Sequence, residues 1–248
     1  MPVSANTLFH FTSFGTLKKI LNSGGFWPQY SLERFDKALP KKSNYISAYI
    51  PMVCFCDLKL TQLSDTTISK HTKDFGNYGI GFKKNWGVQK SISPVSYIHQ
   101  KSVSSNTIDQ IINEINKQPI AINKKLAPKL GEIVKFLKPY QGFYQKGSRK
   151  RNLINYYDER EWRYIPKGSR YKAFPFSKAI TNSITKYNIE LRSKPLTFNT
   201  SDIKYIIISR DIEKTPLADI INKLSITTSE KVDLISKIIS LKEIREDF

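Results

Sequence analysis

Four features of the chain are of the kind that performs chemistry: His10 in Leu-Phe-His-Phe-Thr-Ser, the strand end at Cys54 to Asp57, Tyr78 beside glycine, and the paired acids Glu159 and Glu161. The two acids are two residues apart, so on a strand both carboxylates point to one face and could enter one cleft. In a basic neighbourhood they stay ionised, which suits steadying a cationic transition state rather than donating a proton. Sugar transfer through an oxocarbenium ion needs such an anion, and a carboxylate can also grip the adjoining ribose hydroxyl. The competing reading is that Asp158, Glu159 and Glu161 neutralise nearby arginines on a solvated strand, and spacing alone favours it. His10, on an apolar strand, reads as a structural histidine or as a hydrogen-bonding partner for a ribose hydroxyl or phosphate. Tyr78 reads as a ring stacked on a planar ligand or as core packing. His71 and His99 have no supporting context. Cys54 and Cys56 read as reduced core thiols, because C-x-C with three histidines in the whole chain does not make a zinc site. No metal is expected, and no P-loop, dinucleotide fingerprint or nucleophile elbow occurs.

Charge supplies the broadest constraint. The 248 residues carry 40 Lys and Arg against 21 Asp and Glu, a formal net charge of +19. Such a surface draws polyanions, with nucleic acid the foremost partner and an acidic protein the alternative. The basic residues concentrate over residues 145–172 in Lys146, Arg149, Lys150, Arg151, Arg160, Arg163, Lys167, Arg170 and Lys172. Of these, Lys146, Arg149, Lys150, Arg151, Arg163, Lys167 and Arg170 are the candidate nucleic-acid contacts. With 40% hydrophobic and 12% aromatic residues the chain has material for a packed core. Neither a signal peptide nor an apolar run of the ~18 residues that span a bilayer is found, so no membrane partner and a cytoplasmic location are expected.

The elements that must position these residues follow from periodicity. Residues 8–11 alternate as a strand, Thr12 or Ser13 can cap a helix over 14–22, and Gly24-Gly25 stops it. Further strands are predicted at 49–56, 78–82, 95–98, 161–165 and 203–209, with glycines in the second where a backbone or ligand approaches closely and Trp86 on the turn after it. Isoleucines at 108, 111, 112 and 115 mark a helix over 105–117, continued over 126–137, and two more helices are predicted at about 216–224 and 229–239. With no repeat or linker, residues 1–248 read as one α+β domain with a helical insertion at about 103–140.

Taken in order, His10-Phe-Thr, Tyr78 and Glu159-x-Glu161 resemble the His–Tyr–Glu arrangement of ADP-ribosyltransferases. Leu-Phe-His-Phe-Thr-Ser, Pro-Met-Val-Cys-Phe-Cys-Asp, Tyr-Gly-Ile-Gly-Phe-Lys-Lys-Asn-Trp-Gly and Tyr-Asp-Glu-Arg-Glu-Trp-Arg-Tyr-Ile-Pro resemble the bacterial AbiGi abortive-infection family, found in phage-defence loci of toxin–antitoxin type and labelled there as the antitoxin. The pattern is also similar to DarT-type and CmdT-type transferases, which attach ADP-ribose to DNA or RNA bases. The resemblance implies an ADP-ribosyltransferase-like split β-sheet with flanking helices, and NAD as substrate. It assigns His10, with Thr12 beside it, to the adenosine ribose, and Tyr78, or alternatively Phe55 or Tyr49, to the nicotinamide. Glu161, with Glu159, becomes the catalytic acid, and single-stranded DNA or RNA the target, with a cognate toxin or antitoxin as a further partner. The alternatives are a non-catalytic antitoxin or regulator that uses its basic surface, and a NAD glycohydrolase.

Overall fold

Alternating apolar positions and well-placed caps give this chain its first elements. The computed structural model describes residues 5–35, 38, 47–63, 76–144, 152–168 and 173–247. Its first part runs β1 (Thr7–Thr12), α1 (Phe14–Ser23), β2 (Gly25–Phe26), β3 (Gln29–Arg34), β4 (Ser47–Cys56), α2 (Leu60–Leu63), β5 (Tyr78–Lys83) and α3 (Lys84–Gln89). The middle comprises β6 (Ser93–Pro94), β7 (Ser96–Ile98), α4 (Val103–Lys117), α5 (Ile120–Val134), β8 (Leu137–Pro139), β9 (Gln141–Tyr144), β10 (Asn152–Asn155) and β11 (Glu161–Tyr164). The last part adds β12 (Phe174–Pro175), α6 (Lys178–Leu191), β13 (Leu196–Thr197), β14 (Ile203–Ile208), α7 (Lys214–Asn222), α8 (Thr228–Ser236), β15 (Ile238–Ser240) and α9 (Leu241–Asp247). The class is α+β, as the sequence predicts. Where the sequence reads as one domain, the chain divides into two compact units built from separated segments. The stretch 103–140 holds the helices α4 and α5, the second ending at Val134.

Unit one gathers Met1–Trp27, Cys54–Ile92 and Pro195–Phe248. Within it β5 lies antiparallel to both β1 and β14, and β14 pairs in parallel with β15. Ser13 caps α1 by accepting the Thr16 N–H, and Gly24, in the left-handed region at φ 61°, ends it. The glycines of β5 make room for backbone and rings, a Cβ at Gly79 lying 3.0 Å from both the His10 carbonyl and the Phe11 ring. Gly81 faces Phe9 in the β1 register, and a Cβ there would sit 2.6 Å from the Phe9 ring. Phe9 then stacks on Phe11 and Tyr205 and joins Leu58, Leu63, Ile207, Leu241 and Ile244 in the core. Trp86 lies in α3, not on a turn, and is buried against Phe82 at 4.3 Å between ring centroids. Phe55 meets it edge-on at 5.9 Å, and this ring packing draws the indole inward where a turn would leave it solvated.

Unit two gathers Pro28–Val53 and Ser93–Lys194. β3 pairs antiparallel with β4, from Gln29 opposite Met52 to Arg34 opposite Ser47, and β12 pairs with β4 at Tyr49 and Ala48. Tyr30, Tyr49 and Leu191 form its apolar core with Phe174, Ile184 and Tyr187. β11 pairs with β6, β7 runs parallel to β8, and β9 with β10 makes a separate antiparallel ribbon. Cys54 and Cys56, at the unit-one end of β4, are half-buried thiols not joined in a disulfide. Among the described residues no helix is long and apolar enough to cross a membrane.

Candidate functional site

The paired acids meet, but by a route the sequence does not suggest. Tyr156–Glu159 forms a 3-10 turn, and Arg160 in the left-handed region at φ 44° swings the chain into β11. Glu159 and Glu161 therefore share no strand face. They converge instead on Lys138 of β8, whose Nζ donates to Glu159 Oε2 and to Glu161 Oε2, each at 2.5 Å. Strand alternation does operate one step later. Glu161 and Arg163 are both buried on one face of β11, with Trp162 and Tyr164 half-buried on the other. Arg163 Nε donates to Glu161 Oε1 at 2.7 Å, and Nη2 donates to Glu161 Oε2 at 3.1 Å and to Glu33 Oε2 at 2.8 Å. Its Nη1 donates to the Lys135 carbonyl at 2.9 Å. The hydroxyl oxygen of Tyr97, the register partner of Lys138, accepts the Glu161 backbone N–H at 2.8 Å.

The cluster thus holds three carboxylates, Glu33, Glu159 and Glu161, around two cations. Burial by itself would raise the Glu161 carboxyl, but the charges and hydrogen bonds of Arg163 and Lys138 outweigh it and hold the group well below the usual carboxylate range. For Lys138 burial works downward, and Glu161, Glu159 and Glu33 reverse it, so the ammonium stays charged far into the alkaline range. Burial pushes the Tyr97 phenol up and keeps it protonated. Such a cluster is an enclosed, hydrogen-bonded set of ion pairs of the sort that fixes neighbouring strands, and removing one member exposes the rest to an uncompensated buried charge. Both Glu161 oxygens are occupied by cationic donors and the residue is 5% exposed. A nicotinamide ribose would have to displace Arg163 or Lys138 to reach it, so these residues as arranged do not fit that group.

Of the residues expected to hold the rest of NAD, His10, Thr12, Phe55 and Tyr78 lie in unit one, and the alternative Tyr49 is buried in unit two with its hydroxyl 2.9 Å from Thr181 Oγ1. His10 Nδ1 is 2.8 Å from the Cys54 carbonyl, which can only accept, so Nδ1 carries the proton. The ring packs edge-on to Phe26 and beside Phe55, at 4.9 and 5.7 Å between centroids. Burial lowers its pKa, against the opposing effect of the Cys54 bond, and the imidazole is neutral near pH 7. Phe55 is buried among Phe26, Phe82 and Trp86. Thr12, also buried, stands opposite Tyr78 in the β1–β5 register. The Tyr78 hydroxyl donates to Glu213 at 2.6 Å, its ring packs on Phe14, and burial followed by the Glu213 carboxylate pushes its pKa up to about 12. Glu213 also accepts the N–H groups of Ser209 and Arg210. His10 Nδ1 and the Tyr78 hydroxyl are thus committed to protein partners.

Of the expected nucleic-acid contacts, Arg163 is corrected: it is 0% exposed inside the ion cluster, because Glu161, Glu33 and a backbone carbonyl take up its guanidinium. Lys167 is exposed. Lys146, Arg149, Lys150, Arg151, Arg170 and Lys172 lie outside the described residues, as does His71. Among the described residues no group of His, Cys, Asp and Glu side chains could hold a metal ion. The residues that sequence reasoning missed are Lys138, Glu33, Tyr97 and Glu213. Arg163 reaches Glu33 across 130 positions, and no local spacing signals such a contact.

Residues 25–209 match the family model described as "Putative abortive phage resistance protein AbiGi, antitoxin". The chain is similar to the abortive phage resistance protein AbiGi of Lactococcus lactis subsp. cremoris, at 29% identity over 250 residues that cover 90% of this chain and 99% of that protein. No solved structure matches the chain, so the α+β class rests on its own elements, and no structural neighbour bears on the split sheet implied by the transferase resemblance.

Proposed function

We propose, from the premise that this chain belongs to the AbiGi family of abortive phage resistance proteins, that it serves phage defence as an antitoxin that binds nucleic acid without covalent chemistry. The observation that carries this reading is how unit two disposes of its charge. That unit contains 24 lysines and arginines against nine acids, a surplus of fifteen, whereas unit one has sixteen against twelve. Three of the nine acids, Glu33, Glu159 and Glu161, sit in the cluster with Arg163 and Lys138 among the described residues. These five described members sum to −1, and the rest of the unit sums to +16. Acids turned inward cannot act on a sugar, and they also cannot shield the lysines and arginines outside. Such a surface gains affinity for phosphates by releasing their counterions.

The test is fluorescence anisotropy with labelled single-stranded RNA, single-stranded DNA and duplex at a series of salt concentrations. Binding with a log–log salt slope of about −3, as roughly four phosphate contacts on a single strand give, is the expected result. Absence of binding, or binding indifferent to salt, overturns the proposal and directs attention to an acidic toxin as the partner. One observation favours the second reading, a NAD-dependent transferase: His10 and Phe55 lie together in unit one, with Thr12 opposite Tyr78. That reading requires Arg163 and Lys138 to release Glu161, and it predicts transfer of ADP-ribose to the same oligonucleotides.

A further inference from the structure

Unit two exposes a cluster of rings. Tyr140, Phe143, Leu153 and Tyr157 are exposed by 37, 43, 55 and 48%. Phe143 and Leu153 are direct partners in the β9–β10 ribbon, so their side chains lie on one face, and Gln141 with Asn155 extends that face. Tyr140 and Tyr157 stack at 5.7 Å between centroids, with rings inclined by 28°, and Tyr97 meets Tyr157 edge-on at 5.3 Å. The Tyr157 N–H donates to the Tyr140 carbonyl, which ties the stacked pair to the ribbon's base. Beside Phe143 and Leu153 lies a depression of about 310 Å³, completed by Gln141, His99, Gln100 and Lys101.

Exposed rings in this number are costly in water and mark a surface that meets a partner. The partner's chemistry follows from the surroundings. Unit two as a whole has fifteen more lysines and arginines than acids. Lys101 lines the depression itself. A ligand that is polyanionic and also offers flat apolar faces is a single-stranded nucleic acid. Its bases are unstacked and free to lie on aromatic rings, which a duplex does not allow. Gln141 adds a carbonyl acceptor and amide donors for a base edge.

We infer that the β9–β10 ribbon, with Tyr140 and Tyr157 at its base, is a stacking platform for the bases of single-stranded RNA or DNA. This rests on the nucleic-acid reading above and names where the ligand lies. The test is anisotropy with a fluorescein-labelled 12-residue single strand of each kind and the matching duplex, using wild type, Phe143→Ala, Phe143→Leu, Phe143→Trp and Tyr140→Leu. Phe143→Ala and Phe143→Leu are each expected to weaken single-strand binding by about tenfold, the low end of one lost base–ring stack, while the salt slope is unchanged. Phe143→Trp retains wild-type affinity, Tyr140→Leu weakens as Phe143→Ala does, and the duplex binds more weakly throughout. Circular dichroism of each variant confirms the fold, which an exposed position tolerates. Salt-dependent binding that is untouched by Phe143→Ala and Tyr140→Leu overturns the platform and leaves the polyanion reading standing. Full affinity in Phe143→Leu also overturns it, since apolar contact without a ring suits a protein partner. Failure of wild type to bind any strand overturns both.

Discussion

The two units bury their polar groups in opposite ways. Unit one, close to charge balance, keeps its titratable His10 neutral among Phe26 and Phe55 and pairs Asp57 with Lys84 at 2.5 Å. Its strength lies in rings and aliphatic side chains packed around Phe9 and Phe82. Unit two carries most of the chain's positive charge and draws three of its nine acids inward onto Arg163 and Lys138. A fold with too many cations can satisfy a few of them inside, and the outcome is a surface more basic than the composition indicates. The same step that stabilises the interior equips the exterior for phosphates.

The contrast breaks most visibly at Arg163. Replacement by Ala strands Glu161 and Glu33, and about 3–5 kcal/mol of stability is expected to be lost. Denaturant unfolding measures the loss, and hydrogen exchange is expected to place it at β8 and β11 while β1 and β5 keep their protection. Equal loss in both units would end the distinction. Next in size is removal of positive charge. Changing Lys146, Arg149, Lys150 and Arg151 together to Gln is expected to reduce the salt slope by up to about 3 in the same anisotropy titration, at about 0.7 for each phosphate left without its cation.

Acid sharpens the contrast further. His10, lowered from its ordinary 6.5, contributes stability that fades as pH falls below that value, because the unfolded chain takes up the proton first. Glu161, lowered from 4.5, contributes stability that is complete above pH 4.5 and fades only below it. Exchange protection is therefore expected to weaken around β1 before it weakens around β11 as pH falls, and the reverse order would contradict the ion-cluster assignment. Smallest is Tyr78→Phe, which removes the bond to Glu213 at a cost of about 1 kcal/mol, measured by denaturation. It is expected to leave nucleic-acid affinity unchanged.

Sequence patterning located what local rules govern. The Ser13 cap, the Gly24 stop and the strands at Thr7–Thr12 and Ile203–Ile208 follow from capping chemistry and apolar runs. At β11 the same rules mislead, because alternation of Glu161 and Arg163 with Trp162 and Tyr164 predicts the aromatic face inward, and the charged face is the buried one. Only Lys138 and Glu33, distant in sequence, make that burial possible. The meeting of Glu159 with Glu161 was legible as a result but not as a mechanism, since it depends on the left-handed Arg160 and on Lys138 rather than on a shared strand face. The ring cluster on β9 and β10 escaped because exposure, not residue type, makes Phe143 and Tyr157 noteworthy.

Whether Glu161 is a structural anion or a reacting one is decided most directly with labelled NAD. Purified protein is incubated with the label and the single strand it binds, and the strand is then isolated. An enclosed Glu161 predicts an unlabelled strand and intact NAD alongside salt-sensitive binding. Label on the strand, abolished by a Glu161→Gln variant that still folds, would contradict it.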